Sequence, residues 1–201
     1  MYYLNEEKAN ENKKKDHHSD ALMKKFAETR QIIISGEVTE ELAEKTITRL
    51  LVLEAASATK SIYVYIDSPG GNVYSGFAIF DMIRFIKAPV KTIGMGLVAS
   101  AASIILLAAK KSNRFALPNS QYLIHQPLSE MKGVATDLEI HAKEIERIKS
   151  RINLLIANET GKKIEQIFQD TERDYWLNAE EARSYGLVSK IVETRKEISA
   201  K

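Results

Sequence analysis

The 201-residue sequence contains no cysteine, which excludes disulfide bonds, a thiolate nucleophile and a zinc site built on thiolates. Its net charge at pH 7 is only +2, so it lacks the strong positive charge that is typical of nucleic-acid-binding proteins. The first 20 residues contain no apolar stretch of the kind that a secretory signal requires. Together these absences favour a protein of the reducing cytoplasm that does not bind nucleic acid.

One uncharged stretch, Thr92–Ala109, approaches the length of a membrane span. Its first part is β-branched and broken by two glycines, and Ser100 and Ser103 interrupt the rest. A buried strand followed by a buried helix explains this composition better than a transmembrane helix does. We therefore expect no membrane insertion.

Residues 1–20 are polar and charged, with Leu4 as their main aliphatic side chain. A segment with so little apolar surface cannot form a core, so we expect a solvated N-terminal arm. His17 and His18 lie in this arm, and we expect exposed histidines there rather than a metal site.

After the arm, strand-like and helix-like segments alternate, and we expect a single domain over residues 21–195 with a short tail at residues 196–201. Short β-branched or aliphatic runs predict strands at 31–35, 61–66, 89–99, 115–117, 121–125 and 187–192. Apolar residues at helical spacing predict helices at 39–58, 74–86, 101–109, about 135–159, 163–169 and 179–185. Repeated strand–helix units indicate an α/β domain with mostly parallel strands.

Local signals predict where several of these elements end. The segment at 67–71, DSPGG, is expected to stop the second strand. Thr136 with Glu139 predicts a capping box at the start of the long helix, and Gly161 predicts its C-cap. Asn178 is expected to cap the helix that follows it.

Ser100 lies where a strand-like segment gives way to a helix-like one. A hydroxyl at such a junction can be exposed, while the next backbone N–H points out of a helix start. We therefore predict Ser100 as a nucleophile. Ser103 is the rival, but it lies one turn inside the predicted helix and should be buried. The G-x-S-x-G elbow is absent, which argues against an α/β-hydrolase.

A serine nucleophile needs a base, and the base needs an acid to orient it. His125 is the best candidate base because it ends an aliphatic strand, where the side chains of α/β domains meet at one edge of the sheet. A buried structural histidine is the alternative. His141 lies among charged residues of the long helix, which favours a solvated helix face. Asp170 and Asp174 both remain candidates for the acid.

A glycine pair, Gly70-Gly71, lets the backbone approach a ligand closely. Pro-Gly-Gly alone is most often a turn. Together with the N–H of Ala101, however, the pair could form an oxyanion hole.

Several segments, in order and without obvious gaps between about residue 30 and residue 192, resemble the ClpP family, the proteolytic subunits of ATP-dependent Clp proteases. The matching segments are DSPGG (67–71), GMGLVAS (94–100), FALPNSQYLIHQP (115–127), ATDLEIHAKEI (135–145) and DTERDYWLNAEEARSYGLV (170–188). The resemblance implies a ClpP/crotonase-like fold of repeated strand–helix units, with the long helix at about 135–159 protruding as a handle.

The resemblance also implies a serine endopeptidase of unfolded proteins that needs neither metal nor cofactor. It makes Ser100 the nucleophile, His125 the general base and Asp174, rather than Asp170, the orienting acid. Gly71 and Ala101 would supply the oxyanion N–H groups.

Members of the family assemble as two stacked heptameric rings, which implies such a homo-oligomer here or a mixed ring with a second ClpP subunit. Polypeptide substrates would lie extended against residues 128–136. Glu172 and Arg173 would link the two rings. A hexameric AAA+ unfoldase, which uses the ATP, would dock on Tyr63, Tyr65, Phe85 and Val192. A place in the chain's own core is the alternative for each of these aromatic residues.

The sequence departs from the family pattern at two places. Ala101 follows the nucleophile where the family usually has methionine, and the N-terminal arm lacks the family's apolar axial-loop pattern. These departures indicate a divergent paralogue. The alternatives are a weakly active subunit that mainly completes a mixed ring and, from another class, a crotonase-like acyl-CoA enzyme.

Overall fold

The computed structural model describes residues 22, 25, 26 and 28–199. The chain divides into two compact units, residues 1–31 and 32–201, and the elements below lie in the second apart from Gln31, the first residue of β1. The strands are β1 (Gln31–Val38), β2 (Ile62–Gly71), β3 (Val90–Ala99), β4 (Arg114–Ala116), β5 (Gln121–Ile124), β6 (Tyr175–Asn178) and β7 (Lys190–Ile191). The helices are α1 (Glu40–Ala56), α2 (Val73–Phe85), α3 (Ala101–Leu107), α4 (Ala135–Thr160), α5 (Ile164–Asp170), α6 (Ala179–Tyr185) and α7 (Arg195–Ser199). The predicted arm at residues 1–20 lies outside the described residues.

The strands form one mixed sheet in the order β1-β2-β3-β4-β7, with β5 paired to β3 and β6 paired to β5. The pairs β2–β3, β3–β4, β3–β5 and β4–β7 are parallel, and β5–β6 is antiparallel. The predicted α/β class with mostly parallel strands is therefore confirmed. The ends of β3 and β5 meet at one edge of the sheet, which is where the candidate site lies.

Helix α3 forms the centre of the main core. All seven of its residues are buried, and they pack among apolar residues of β2, β3 and α2. This arrangement is the buried strand and helix that the composition of residues 92–109 predicts. Among the described residues, no helix combines the length and apolar character needed to cross a bilayer.

The prediction that DSPGG stops the second strand is wrong, because β2 continues to Gly71. The pairing register shifts between Ile66 and Ser68, so the strand bends without leaving β3, and Ser68 still pairs with Val98. The Ser68 hydroxyl accepts a hydrogen bond from the N–H of Gly70 at 3.1 Å. A strand that continues through this bulge carries the glycine pair to the end of β3.

Two other local predictions have opposite outcomes. The prediction of a capping box at Thr136 is wrong. Helix α4 begins at Ala135, one residue before Thr136, and its N-cap, Val134, makes no side-chain capping hydrogen bond. Thr136 is therefore already helical, and its hydroxyl cannot take the N-cap role. The cap at Asn178 is confirmed and forms a full capping box with Glu181.

A partly buried ion cluster joins the C-terminal ends of α3 and α4. The Arg114 side chain is fully buried; it contacts the Glu159 carboxylate, and its Nε donates to the Ala109 carbonyl at 2.8 Å. Arg84 donates to the other Glu159 oxygen at 2.5 Å. Burial lowers the pKa of the Arg114 guanidinium, and the hydrogen bond to Glu159 opposes that shift.

Substitution of Glu159→Gln is expected to lower the free energy of unfolding by about 3–5 kcal/mol, because it leaves the buried Arg114 without a counter-charge. Lys45→Gln is the matched control. It breaks the exposed Glu41–Lys45 pair and should cost less than about 1 kcal/mol. Urea unfolding of both variants at one protein concentration measures the difference. Equal midpoints for the two variants would contradict the assigned role of the cluster.

Candidate active site

Ser100 forms the sharp turn between β3 and α3. Its φ of 55° and ψ of −122° make it the one non-glycine residue with positive φ among the described residues. Such a conformation costs about 1–3 kcal/mol and persists only where the surroundings enforce it. Here the Ser100 N–H donates to the Leu123 carbonyl at 2.9 Å, which ties the turn to β5.

Ser100, His125 and Asp174 lie in one chain of hydrogen bonds. The His125 Nε2 atom is 2.9 Å from the Ser100 Oγ, and its Nδ1 atom is 2.9 Å from the Asp174 Oδ1. The imidazole is mostly buried, whereas the Asp174 side chain is 62% exposed. With its proton on Nδ1, the imidazole donates to Asp174 and accepts from the serine hydroxyl. This tautomer is the one that a general base for Ser100 requires.

Strand β6, which was not predicted, brings the carboxylate to the histidine. β6 pairs antiparallel with β5, and Tyr175 lies opposite Ile124. His125 directly follows β5, and Asp174 directly precedes β6. The two residues are therefore neighbours across the strand pair. Asp170 lies elsewhere, because its carboxylate accepts from the Tyr185 hydroxyl at 2.6 Å.

A second connection between the two segments also escaped prediction. The Gln126 N–H donates to the Thr171 carbonyl at 2.7 Å, and the Thr171 hydroxyl bonds to the Asn153 amide oxygen at 2.9 Å. Both Thr171 and Asn153 are completely buried. This network fixes the chain just after His125 to the chain just before Asp174, and it anchors both to α4. An Asn on a helix and a Thr in a loop carry no sequence signal for such a pairing.

Gly70 lies against the Ser100 turn, and Gly71 lies against the end of β1. A Cβ atom on Gly70 would lie 2.7 Å from the Ser100 Cβ and 2.6 Å from the Ala99 carbonyl oxygen, and the residue has a φ of +93°. A Cβ atom on Gly71 would lie 2.6 Å from the Val38 carbonyl oxygen. Glycine is therefore required at both positions. The Ala101 N–H is the first of α3, and its nitrogen lies 3.0 Å from the Cβ position of Gly70.

Gly70→Ala is expected to lower kcat/KM for the predicted peptide hydrolysis by about 10²-fold, because the new methyl group displaces Ser100 from its bond with His125. Gly36→Ala is the matched control. It has a similar φ of +79°, but no atom lies within 4 Å of its Cβ position, so it tests backbone strain alone. Rates of fluorogenic peptide cleavage by the two variants measure the effect. Equal losses would show that the contact with Ser100 does not matter.

A small apolar cavity of about 20 Å³ lies beside Ser100 and His125. Its wall is formed mainly by apolar side chains of α2, α3 and α4, including Val73, Ala101, Ile104, Ile152 and Ile156. Its volume is close to that of a single water molecule, so the cavity would have to widen to admit a side chain.

Ser103 and His141 lie where the sequence predicts. Ser103 is buried, and its hydroxyl bonds to the Val98 and Leu123 carbonyls at 3.2 and 3.1 Å, so it supports the turn around Ser100. His141 lies on the surface side of α4, where its Nε2 atom is 2.7 Å from the Ser129 hydroxyl.

The two residues predicted to link rings are both exposed, close to Asp174 in the chain. The Glu172 carboxylate accepts from Lys149 on α4 at 2.9 Å, and this hydrogen bond lowers the pKa of Glu172. Arg173 is exposed. Neither side chain belongs to the hydrogen-bond chain of the site.

The four residues predicted to dock an unfoldase lie away from Ser100. Tyr63 and Tyr65 pack, half-buried, against a small apolar cluster that includes Val192, whereas Phe85, at the end of α2, is 79% exposed and does not join the cluster.

Comparisons with known proteins identify the family of the chain. A family model described as Clp protease matches residues 13–195. The ATP-dependent Clp protease proteolytic subunit 2 of Treponema denticola is 63% identical over 202 residues, which covers all of both chains. The subunit of the same name from Treponema pallidum is 59% identical over 88% of this chain and 89% of its own.

A solved structure is similar as well. The chain of a ClpP1 mutant from Listeria monocytogenes superposes with a TM-score of 0.82 at 48% sequence identity, over 88% of this chain and 99% of that one. The similarity thus covers nearly the whole length in both sequence and fold. The chain belongs to the Clp protease family.

Proposed function

We propose that this chain is the proteolytic subunit of an ATP-dependent Clp protease and hydrolyses peptide bonds as a serine endopeptidase. The observation that carries the proposal is the pair of 2.9 Å contacts that join Ser100, His125 and Asp174. A positioned base and its orienting acid are what a serine hydroxyl needs to become a nucleophile. The match to the Clp protease model favours this reaction over that of a crotonase-like acyl-CoA enzyme.

In the proposed mechanism, the Ser100 Oγ attacks the carbonyl carbon of the scissile bond, and His125 takes the hydroxyl proton. Asp174 holds the imidazole in the tautomer that accepts this proton. The N–H groups of Gly71 and Ala101 donate to the oxyanion of the tetrahedral intermediate. His125 then protonates the leaving amine, and a water molecule, activated by the same imidazole, hydrolyses the acyl-enzyme. No metal or cofactor takes part.

The substrate is an unfolded polypeptide that binds in an extended conformation. It lies between the end of β2 and residues 128–136, where Leu128 is 83% and Val134 is 66% exposed. Pairing through main-chain hydrogen bonds tolerates many sequences. The apolar side chains that line the cavity beside Ser100 would contact an apolar residue before the cut bond, and Ala101 leaves more room there than methionine would.

The active particle is a double ring of two heptamers. Three apolar residues on α4 are exposed and are suited to burial between subunits. They are Leu138 at 41%, Ile140 at 63% and Leu154 at 55% exposure. Glu172 and Arg173 lie between the rings. A hexameric AAA+ unfoldase, which hydrolyses the ATP, docks at Tyr63, Tyr65, Phe85 and Val192, and the complex works in the cytoplasm.

A mixed ring is a second candidate arrangement. Relatives in one family carry the names proteolytic subunit 1, 2 and 3, which supports the existence of more than one such subunit in a cell. In this arrangement the chain would be weakly active alone and would complete a ring with another Clp subunit.

Purified protein tests the proposal directly. We expect cleavage of a fluorogenic peptide with an apolar residue before the scissile bond, by a particle of about 316 kDa, the mass of fourteen 22.6 kDa chains. Light scattering and the cleavage rate are measured with and without a second Clp subunit. Activity only in the mixture supports the mixed ring. A stable monomer that is inactive under both conditions would contradict the proposal.

A further inference from the structure

A wide cavity lies at the opposite end of β3 and α3 from Ser100. Its volume is about 680 Å³, and small-molecule sites measure roughly 300–1,000 Å³. Val90, where β3 begins, and Ala108, directly after α3, are both in its wall, whereas Ser100 lies where the two elements meet. A ten-residue strand is about 30 Å long, so the cavity is separate from the candidate active site.

Four basic side chains line this cavity. They are Arg84, Lys87, Lys110 and Lys111, and all four are exposed. The ammonium groups of Lys87 and Lys110 have no hydrogen-bond or ion-pair partner among the residues that the structure describes. Lys111 donates to the Thr160 carbonyl at 3.1 Å, which uses one of its three hydrogens. Two ammonium groups and part of a third are therefore available to an anion.

The carboxylate in the lining, that of Glu159, is already neutralised. One of its oxygens accepts from Arg84 at 2.5 Å, and the other contacts the buried Arg114 guanidinium. The Glu54 carboxylate lies outside the lining and accepts from the backbone N–H of Lys87 at 2.5 Å, not from its ammonium group. The wall therefore carries a net positive charge, and a concave surface with charge of one sign concentrates ligands of the opposite sign.

Another part of the lining is apolar. Ile83, Ile86, Val90 and Ala108 contribute to it, and all four are buried. Asn113 lies beside them; its amide nitrogen donates to the Val90 carbonyl at 3.3 Å, while its amide oxygen accepts from no described residue. A ring can pack against these apolar side chains and donate an N–H group to the Asn113 oxygen.

We propose that the cavity binds a nucleoside polyphosphate, with the phosphates on Lys87, Lys110 and Lys111 and the base against the apolar part of the lining. Lysine binds phosphate as a point charge, and several lysines suit a ligand with more than one phosphate. An apolar surface beside a free amide oxygen suits a planar base that carries N–H groups. The inference concerns a second site and does not rest on the proposed function.

Both halves of the ligand should contribute to binding. In equilibrium dialysis with the purified full-length chain, free of any unfoldase, we expect ATP or GTP to bind about tenfold more tightly than inorganic triphosphate, because the base adds apolar burial. Added salt should weaken this binding, because salt screens exposed charges. Inorganic triphosphate that binds as tightly as both nucleotides would overturn the assignment of a nucleoside, and no binding of either nucleotide would overturn the site.

Two lysine variants test where the phosphates lie. Lys87→Gln and Lys110→Gln should each weaken nucleotide binding by about tenfold, since each removes one charge-assisted contact. Lys45→Gln is the matched control, because Lys45 pairs with Glu41 on α1 and does not line the cavity. Equal affinity of all three variants would overturn the proposal. Both cavity lysines are exposed, so the variants should keep the wild-type circular dichroism spectrum.

A blocked active site separates this inference from the proposed function. Ser100→Ala should bind the nucleotide as tightly as the wild type, because Ser100 does not line the cavity. Loss of nucleotide binding in Ser100→Ala would place the ligand at the candidate active site and overturn the proposal. Intact nucleotide binding by a wild-type chain that hydrolyses no peptide would support this site and reject the proposed function alone.

Discussion

Replacement of Ser100→Ala is expected to lower kcat for peptide hydrolysis by about 10⁵- to 10⁶-fold, with KM nearly unchanged. The hydroxyl supplies the attacking oxygen, and no other described hydroxyl contacts the His125 Nε2 atom. Residual activity should come from the oxyanion N–H groups and from substrate binding alone. Steady-state cleavage of a fluorogenic peptide at matched particle concentration measures the loss.

Ser112→Ala is the matched control for this experiment. Ser112 is exposed in the short turn between α3 and β4, so its replacement should leave kcat within about twofold of the wild type. Ser100→Ala activity within tenfold of the wild type would show that another group attacks the substrate. Unchanged circular dichroism and particle mass would confirm that the loss comes from the missing hydroxyl.

Asp174→Asn is expected to lower kcat by about 10⁴-fold. The carboxylate accepts the Nδ1 proton of His125 at 2.9 Å, whereas an amide NH₂ in that place would donate to Nδ1. The imidazole would then carry its proton on Nε2 and could not accept the proton of Ser100. The geometry should survive, so the loss should fall on kcat rather than on KM.

Asp170→Asn tests whether the right carboxylate has been assigned. Asp170 interacts with Tyr185 and Gln166 and does not contact His125, so this variant should keep kcat within about tenfold of the wild type. A large loss in Asp170→Asn with little loss in Asp174→Asn would reverse the assignment. Together the two variants decide a choice that the residues alone leave open.

The turn at Ser100 depends on support from neighbouring strands. The Ser100 N–H and the Ser103 hydroxyl both bond to the Leu123 carbonyl, at 2.9 and 3.1 Å. Gly70 closes the other side of the turn. The strained conformation of Ser100 is thus held by β5 on one side and by the end of β2 on the other. His125 is the residue directly after β5, so the same strand also positions the base.

Much of this site could be predicted because its signals are local. The change from β-branched to small and aliphatic residues marks the junction of β3 and α3, and so it marks Ser100. His125 follows an aliphatic strand in a parallel sheet, and parallel strands bring their carboxyl ends to one edge. The burial of Ser103 follows from its place one turn inside an apolar helix.

The parts that could not be predicted depend on pairing between distant segments. Strand β6 is four residues long, and its sequence YWLN has no clear alternation, so only its pairing with β5 makes it a strand. The position of Asp174 depends on that pairing. The continuation of β2 through DSPGG likewise depends on a bulge opposite β3, which overrides the local preference of Pro and Gly for a turn.

The Ser100 hydroxyl, the His125 imidazole and the Asp174 carboxylate are expected to act as one unit. Mass spectrometry of a fluorophosphonate adduct tests this expectation most directly. The wild-type protein should carry one adduct per chain, on the tryptic peptide that contains Ser100, and His125→Ala should lose nearly all of it. An adduct on any other serine, or undiminished labelling in His125→Ala, would contradict the account.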